Sequence, residues 1–516
     1  MLLNRFLEDS ADRYTDKEAL VCQGQRLCYA EIEGQANALG NALVAGGLRR
    51  QDRAAVYLDN SVESVVSIFG ILKAGGVFLV VNPQVKARKL GYILDDCQAR
   101  VLITDNKHFK RVSEVISRCP NLESVILTDS VDSGMPEGYR LGPRILSYRR
   151  LLEQSPTTRP PKRCIDIDLA SLIYTSGSTG NPKGVMLTHL NMVSAANSIT
   201  QYLENTGDDI IIDVLPLSFD YGLYQVLMAF KFGGKVVLEK AFVYPYQIID
   251  LVIKEKVTGW PMVPAMAAIL LRLKNLDEYD FSKLRYITNT AQTLPPKHIF
   301  RLIELFPDTQ IYSMYGLTEC KRVSYLPPQE LAERPTSVGK AMPNTEVYIV
   351  GERGERITAP RTAGELVVRG ASVMRGYWNL PLETDNALRP GPYPGEKVLY
   401  SGDIFETDEE GYLYFLGRRD NIIKTAGERV SPREVEAVLC EREDVVEAVV
   451  CGVEDELLGM AIKAFVVLTE DAETSDKEII RFCSERLEDF MVPKYVEFLS
   501  SLPKTSTGKI SVANIK

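Results

Sequence analysis

The sequence has few of the residues that build metal centres and disulfide frameworks. It contains only three histidines, His108, His189 and His298, and they lie far apart along the chain. Its nine cysteines are an odd number and include no C-x-x-C pair, a pattern that favours reduced thiols. These residues argue against a histidine-rich metal site, a structural zinc site and a disulfide-stabilised fold.

An excess of positive charge and a long apolar run are also missing. The formal net charge of −9 argues against a surface that attracts nucleic acid or anionic membranes as a whole. The most apolar stretch, residues 65–81, is interrupted by Lys73 and two glycines, so it predicts a helix followed by a strand and no membrane span. Residues 1–9 are spaced like an amphipathic helix and lack the apolar stretch of a signal peptide, which predicts a cytoplasmic protein.

The length and composition predict a soluble protein with more than one domain. A chain of 516 residues exceeds what one hydrophobic core usually organises. Hydrophobic residues make up 45% and charged residues 25% of the chain, as in ordinary globular proteins. Strand-like runs at residues 54–58 and 101–104 alternate with helical patterns, which indicates α/β layers around a largely parallel sheet.

From about Gly364 the pattern changes to short strands separated by turns. The runs at residues 365–370 and 411–417 are typical of this part of the chain. We therefore predict a β-rich subdomain over about residues 340–417.

The C-terminal residues predict a small, separate domain. Ser431 as N-cap, Pro432 at the first helical position and Glu434 three residues after the cap have the pattern of a capping box, so a helix is expected there. Apolar strands flank this helix. We divide the chain into a large N-terminal domain, residues 1–419, and a small α+β domain, residues 420–516.

A loop rich in glycine and hydroxyl groups follows the strand predicted at residues 169–174. Its amides, hydroxyls and one lysine can surround a polyphosphate, because glycine lets the backbone approach closely and lysine supplies positive charge. A Walker motif cannot be aligned with this loop, and the alternative is a flexible surface turn. The candidate phosphate-binding residues are Thr175, Ser176, Gly177, Ser178, Thr179, Gly180 and Lys183.

Residues 174–184, with Val185 and the pair Thr188-His189 after them, resemble the phosphate loop of the adenylate-forming superfamily. That superfamily contains acyl-CoA synthetases, luciferases and the adenylation domains of nonribosomal peptide synthetases. The resemblance implies that the loop holds the phosphates of ATP.

Two further segments resemble motifs of the same superfamily. Residues 314–319 resemble its Y-G-x-T-E segment, which implies that Tyr315 packs on adenine, that Thr318 contacts phosphate and that Glu319 helps to hold Mg²⁺. Residues 401–403, Ser-Gly-Asp, resemble its [ST]-G-D segment. In that segment the aspartate, here Asp403, accepts hydrogen bonds from the ribose hydroxyls, a task suited to a carboxylate.

The C-terminal motifs resemble the hinge and the catalytic lysine loop of the superfamily. In the segment that begins at Gly417, the resemblance implies that Arg418 contacts ribose, that Asp420 is the hinge, and that Gly427 and Arg429 belong to the face used for thioester formation. Residues 503–510 resemble the P-K-T-x-x-G-K loop, whose final lysine would be Lys509.

Together these motifs imply an ATP-dependent, AMP-forming ligase that activates a carboxylic acid as an acyl-adenylate and transfers the acyl group to a thiol. The expected cofactors are ATP and Mg²⁺, and the thiol belongs to phosphopantetheine on a carrier protein or to CoA. Adenylation brings several negative charges together, so catalysis depends on positioning and charge neutralisation. Lys509, Thr318 and Glu319 are the candidate catalytic residues.

Asp220 is the candidate substrate-binding residue. The pair Phe219-Asp220 resembles the F-D of amino-acid-activating domains, in which the aspartate pairs the substrate's α-ammonium group. A buried carboxylate needs a cationic partner. The alternative is that Asp220 points elsewhere or caps a helix that starts at Tyr221.

Other residues favour acyl-CoA ligases over amino-acid-activating domains. Residues 290–292 are Thr-Ala-Gln where such domains often have G-G-E, and Leu317 occupies a position where they often have proline.

The leading hypothesis is a freestanding enzyme that loads an amino acid, small or cyclic such as proline, onto a carrier protein, as in natural-product biosynthesis. The alternative is an acyl-CoA ligase for an acid without an amino group. A binding or regulatory protein without catalysis is disfavoured, because it has no chemical reason to keep Lys183, Glu319, Asp403, Arg418 and Lys509.

Overall fold

A computed structural model describes residues 1–129, 142–175, 181–290, 294–419, 423–425, 428–455, 459–487 and 489–503. Three large sheets with helices on their faces are followed by two small sheets. This is the predicted mixed α/β fold. Within the described residues, no helix combines the length and the apolar composition that crossing a membrane requires.

The first part of the chain alternates strands and helices. Its elements are α1 (Arg5–Arg13), β1 (Glu18–Cys22), β2 (Gln25–Cys28), α2 (Tyr29–Ala45), β3 (Arg53–Tyr57), α3 (Val62–Lys73), β4 (Val77–Val80), α4 (Ala87–Asp96), β5 (Ala99–Thr104), α5 (Asn106–Ser113), β6 (Ser124–Leu127), β7 (Arg144–Ser147), α6 (Tyr148–Gln154) and β8 (Leu169–Thr175). The apolar stretch 65–81 forms most of α3 and all of β4, which confirms the helix and strand predicted there.

The same alternation continues after the glycine-rich loop. The elements are β9 (Lys183–Thr188), α7 (His189–Tyr202), β10 (Ile210–Asp213), α8 (Asp220–Phe232), β11 (Lys235–Leu238), α9 (Pro245–Lys254), β12 (Gly259–Met262), α10 (Pro264–Leu270), β13 (Tyr286–Asn289), α11 (Pro296–Leu305), β14 (Gln310–Tyr315), β15 (Ser324–Leu326) and β16 (Lys340–Ala341).

Short antiparallel strands dominate the following segment, where a β-rich subdomain was predicted. They are β17 (Thr345–Val350), β18 (Arg356–Ile357), β19 (Gly364–Gly370), β20 (Gly376–Tyr377), β21 (Leu388–Pro390), β22 (Lys397–Thr407) and β23 (Leu413–Arg418), with helix α12 (Pro381–Ala387) before β21. All of these strands except β20 form one sheet, in which β23 pairs with β22.

The C-terminal segment forms a small α+β unit. Its elements are β24 (Ile423–Thr425), β25 (Glu428–Val430), α13 (Pro432–Leu439), β26 (Val445–Asp455), β27 (Gly459–Leu468), α14 (Asp476–Ser484) and β28 (Tyr495–Phe498). Val435 of α13 and Ile479 of α14 are buried in the core that these helices share with the sheet. Because residues 420–422 lie outside the described residues, the boundary at 419/420 stays a prediction.

The largest sheet brings several strand ends to one edge. Its nine strands run in the order β16-β15-β14-β13-β12-β10-β11-β1-β2, and β10 to β14 pair in parallel. The carboxyl ends of parallel strands meet at the same edge, which is where open α/β sheets bind ligands. This edge is therefore the first place to look for a site.

The second sheet positions the glycine-rich loop. Its order is β20-β9-β8-β4-β3-β5-β6-β7, and β8 and β9 form an antiparallel hairpin. Thr175 lies opposite Lys183 in that hairpin. The loop predicted to bind phosphate thus joins the ends of these two strands.

The start of α13 differs from the predicted capping box. Ser431 is the N-cap residue and Pro432 begins the helix, but the Ser431 side chain makes no capping hydrogen bond. Its hydroxyl donates instead to the backbone carbonyl of Leu416 at the end of the large domain. The backbone N–H of Glu434, which a capping box would direct to that hydroxyl, donates to the Ser431 carbonyl at 3.2 Å.

A buried lysine connects the first three helices. Lys73 of α3 donates to Glu8 of α1 at 2.8 Å and to Glu33 of α2 at 3.0 Å, and its side chain is 1% exposed. Burial alone would raise the pKa of Glu8, but the Lys73 ammonium outweighs it, and the net pKa is lowered. This contribution to stability is present near neutral pH and is lost as the pH falls through that lowered pKa.

We expect Lys73→Met to lower the free energy of unfolding by about 3–5 kcal/mol, because it removes the buried cation that Glu8 and Glu33 share. The arginines that also contact these carboxylates, Arg5 and Arg159, are more exposed than Lys73. Urea denaturation at neutral pH would measure the loss. Lys107→Met is the matched control, since Lys107 is 69% exposed beside Asp59 and should cost at most about 1 kcal/mol. Equal losses in the two variants would contradict the role assigned to Lys73.

Candidate active site

Residues predicted to bind the nucleotide meet beside the carboxyl edge of the large sheet. The Tyr315 hydroxyl, at the end of β14, donates to Asp403 Oδ2 at 2.5 Å. Arg418 lies directly opposite Asp403 on the β22–β23 pair, with its Nη1 3.4 Å from Asp403 Oδ1. The structure therefore brings together an aromatic ring, a carboxylate and a guanidinium from three distant motifs.

The surroundings of this cluster hold the Tyr315 ring in place. Phe405 contacts it edge-on at 4.8 Å between ring centroids, and Phe415 stacks at 6.2 Å. Burial and the nearby Asp403 carboxylate raise the pKa of Tyr315 well above its ordinary value, so its hydroxyl is a neutral donor. An aromatic platform beside a carboxylate is suited to a nucleoside, because the ring can stack and the carboxylate can accept from hydroxyls.

The turn before Asp403 explains the Ser-Gly-Asp sequence. Gly402 has a φ of +71°, in the left-handed region that favours glycine. The Ser401 hydroxyl donates to the carbonyl of Leu366 at 2.7 Å and accepts from the backbone N–H of Asp403 at 3.1 Å. These contacts aim the Asp403 carboxylate at Tyr315.

Glu319 is held by a tyrosine that the sequence did not single out. The Tyr377 hydroxyl, in β20, donates to Glu319 Oε1 at 2.8 Å. The Nζ of Lys183 lies 5.7 Å from the centroid of the Tyr377 ring. Tyr377 therefore links the candidate metal ligand to the candidate phosphate-binding lysine. No sequence signal marks it, because it lies 58 residues beyond Glu319.

The position of Glu319 is compatible with Mg²⁺. Among the described residues, no group of three or more histidine, cysteine or carboxylate side chains could hold a metal ion. Mg²⁺ does not require such a group, because it is usually held by one or two carboxylates together with substrate phosphates and water. Glu319 supplies one half-buried carboxylate of this kind, and a bound Mg²⁺ would neutralise phosphate charge there.

Asp220 is paired with a cation from its own chain. Lys321 donates to the Asp220 carbonyl at 2.9 Å and lies 3.4 Å from its Oδ2. The Lys321 ammonium also lies over the rings of Tyr224, at 4.6 Å, and Tyr221, at 5.4 Å. Burial lowers the pKa of Lys321 to about 8, and the Asp220 carboxylate acts in the opposite direction. Lys321 therefore occupies the partner position that the sequence analysis assigned to a substrate ammonium.

Asp220 begins α8 and does not cap it. The N-cap residue is Phe219, and its side chain makes no capping bond. The alternative in which Asp220 caps a helix that starts at Tyr221 is therefore wrong, because the helix starts one residue earlier.

The backbone turns back sharply after Tyr315, and this turn places Lys321 beside Asp220. A Cβ at Gly316 would lie 2.4 Å from the Lys321 carbonyl oxygen and 3.1 Å from the Cα of Arg322. Only glycine fits this close approach without a shift of backbone. The two adjacent cations at 321 and 322, separated from the Y-G-L-T-E segment by Cys320, were the available sequence signal for this arrangement.

The other predicted site residues are described in part or lie outside the described residues. Thr175 ends β8, and Thr318 lies half-buried in the turn before Glu319. The backbone of Arg429 belongs to β25, but its side chain is outside the described residues. Residues 176–180, Asp420, Gly427 and Lys509 also lie outside them. The roles of all these residues stay predictions.

Two family profiles match the chain, one after the other. The AMP-binding enzyme profile matches residues 7–378, and the profile of the AMP-binding enzyme C-terminal domain matches residues 434–509.

Curated relatives span almost the whole chain. A long-chain-fatty-acid–CoA ligase of Bacillus subtilis (strain 168) is 33% identical over 529 residues, covering 98% of this chain and 93% of that protein. Tyrocidine synthase 1 of Brevibacillus parabrevis is 28% identical over 516 residues, covering 98% of this chain but 44% of that protein.

Solved structures agree with the fold. The anthranilate CoA ligase AuaEII in complex with anthranoyl-AMP superposes with a TM-score of 0.89 at 27% identity, covering 99% of this chain and 95% of that one. ATP-bound MatB from Rhodopseudomonas palustris superposes with a TM-score of 0.88 at 26% identity, covering 100% and 98%. Because the profiles, the relatives and the folds agree over nearly the full length, the chain belongs to the AMP-binding enzyme family and is an ATP-dependent, AMP-forming acid–thiol ligase.

Proposed function

We propose that this enzyme joins a carboxylic acid without an α-amino group to the thiol of CoA, through an acyl-adenylate. The observation that carries the proposal is the contact between Lys321 and Asp220. It favours the alternative hypothesis, an acyl-CoA ligase for an acid without an amino group, over the hypothesis of an enzyme that activates an amino acid.

The charge balance around Asp220 supports this choice of acid. A substrate ammonium would have to displace Lys321, whose side chain is 3% exposed. The displaced ammonium would stay buried without its carboxylate, which costs several kcal/mol. A substrate without a positive charge near its carboxyl group avoids that cost.

The relatives support CoA as the acceptor. The long-chain-fatty-acid–CoA ligases of Bacillus subtilis (strain 168) and Salmonella typhimurium, at 33% and 31% identity, are closer in sequence than tyrocidine synthase 1, at 28%. The carrier-protein hypothesis of the sequence analysis has no comparable support.

In the proposed adenylation step, a carboxylate oxygen of the acid attacks the α-phosphorus of ATP. The bond from that phosphorus to the bridging oxygen breaks, and pyrophosphate leaves. Tyr315, Asp403 and Arg418 hold the nucleoside, while Lys183 and Lys509 neutralise phosphate charge. Glu319 would hold Mg²⁺, which would neutralise phosphate charge, and Thr318 and the loop 175–180 would contact phosphate oxygens.

In the proposed second step, the CoA sulfur attacks the acyl carbonyl carbon, and AMP leaves with the electrons of the acyl–phosphate bond. The small domain would rotate about Asp420 between the two steps. This motion would withdraw Lys509 and bring the face around Gly427 and Arg429 to the adenylate.

A panel of acids and acceptors tests the proposed function. With ATP, Mg²⁺ and CoA, we expect non-amino acids to release AMP and form acyl-CoA, and amino acids to support no pyrophosphate exchange. Mass spectrometry of the thioester identifies the product. Efficient exchange with amino acids, followed by loading of a phosphopantetheinylated carrier but not of CoA, would refute the proposal.

The Lys321–Asp220 pair has a separate stability test. Lys321→Met should lower the free energy of unfolding by about 3–5 kcal/mol, because it leaves a buried carboxylate unpaired. The double variant Asp220→Asn with Lys321→Met should recover most of this loss, since neither charge remains. Urea denaturation of both variants and of wild type measures the coupling. If the double variant were as unstable as the single one, the pair would not be a compensated charge pair.

The role of Lys509 can be tested in each half-reaction. Lys509→Ala should lower acid-dependent pyrophosphate exchange by about 100-fold or more, because it removes a charge that stabilises the transition state. Thioester formation from preformed acyl-adenylate and CoA should persist. Lys494→Ala, which removes a partly exposed lysine of the same domain paired with Asp455, serves as the control. Exchange at the wild-type rate in Lys509→Ala would refute the assignment.

A further inference from the structure

The guanidinium of Arg322 is buried, and no carboxylate among the described residues forms an ion pair with it. The residue is 1% exposed, and within the described part of the chain its Nε and Nη1 atoms have no hydrogen-bond partner. The guanidinium lies over the ring of Tyr221, with its central carbon 5.4 Å from the ring centroid. Other partly buried arginines of this chain form ion pairs with carboxylates. Arg285, for example, lies 2.8 Å from Asp209.

The charges around Arg322 leave a positive excess. Lys321 is already paired with the Asp220 carboxylate. Burial raises the pKa of Asp213, at the end of β10, well above its ordinary value, which disfavours the charged form of that carboxyl group. Lys321 and Arg322 are adjacent cations, and the contact with Asp220 pairs the first of them.

An arginine cannot remove this imbalance by losing its proton. Its guanidinium stays charged in proteins, and a buried charge without a partner costs several kcal/mol. Nε and Nη1 together carry three buried N–H groups without a partner among the described residues, which adds a further cost. We therefore expect an anion from outside the chain to pair with the Arg322 guanidinium.

Arg322 lies beside the proposed adenylation centre. Its Cα packs against Gly316, which follows Tyr315 directly. Tyr221, under the guanidinium, donates its hydroxyl to the backbone carbonyl of Thr288 in β13. Arg322 therefore lies between α8 and the carboxyl ends of β13 and β14, on the side of Asp220. Asp403, which pairs with Arg418, lies on the other side of Tyr315 and accepts a hydrogen bond from the Tyr315 hydroxyl.

We propose that Arg322 binds a second carboxylate on the acyl part of the substrate, so that the acid activated by this enzyme is a dicarboxylate. This inference rests on the proposed function and adds the substrate class to it. A carboxylate matches the planar guanidinium and can accept from two of its N–H groups at once. The first carboxylate of the acid is adenylated, while the second remains ionised and pairs with Arg322.

The test compares matched pairs of acids that differ only in the second carboxylate: adipate with hexanoate, and succinate with butyrate. Acid-dependent pyrophosphate exchange gives kcat/KM for each acid. We expect wild type to prefer at least one dicarboxylate over its partner. In Arg322→Met the ratio of the two kcat/KM values should fall by at least about 30-fold, because the pairing cation is lost. Arg322→Lys should retain part of the preference.

Two controls separate binding from folding. Arg13→Met makes the same substitution at an exposed position of α1 and should keep the wild-type ratio. The preferred dicarboxylate, added with ATP, should raise the melting temperature of wild type but not that of Arg322→Met. If Arg322→Met does not fold, Arg322→Lys and the wild-type preference still decide the outcome.

The outcomes distinguish this inference from the proposed function. A wild-type enzyme that activates butyrate and hexanoate better than both dicarboxylates would overturn the role of Arg322 and leave the CoA ligase proposal intact. An unchanged ratio in a folded Arg322→Met would do the same. Exchange with amino acids alone would overturn both proposals.

Discussion

The contact between Lys321 and Asp220 is the constraint on which the site depends. It joins the turn after β14 to the first residue of α8, and both residues are buried. A buried ion pair of this kind is costly to break, because either charge alone would be left in a poorly solvated interior. The turn that carries Tyr315 and Glu319 is therefore tied to the helix that begins at Asp220.

This constraint gives the site two sides with different chemistry. On one side, Tyr315 turns its hydroxyl towards Asp403 and Arg418, which are contributed by the β-rich sheet. On the other side, Lys321 and Arg322 face the start of α8. In the proposed function, the first side binds the nucleotide. The second side selects the acid, because Lys321 takes the place there that an amino-acid-activating enzyme would leave for the ammonium group of its substrate.

The sequence patterns predicted the layered α/β architecture and many of its strands, because alternation of apolar residues reports directly which faces are buried. They also identified Tyr315, Asp403 and Arg418, which the structure brings together. Tyr377 and Arg322 were missed. Tyr377 reaches Glu319 through the pairing of β20 with β9, and no local spacing encodes that pairing. The predicted capping box at Ser431 did not form: the Ser431 hydroxyl donates to the Leu416 carbonyl of the large domain, and the N–H of Glu434 donates to the Ser431 carbonyl.

The sequence by itself determined the family and the adenylation chemistry, because the residues that carry them lie in short motifs with their own internal spacing. The partner of Asp220 was decided only by the tertiary structure. A carboxylate at position 220 has the same sequence context whether its cation is a substrate ammonium or a lysine 101 residues later. The difference lies in the fold, which buries Lys321 against Asp220, so that this cation and this carboxylate pair within the chain.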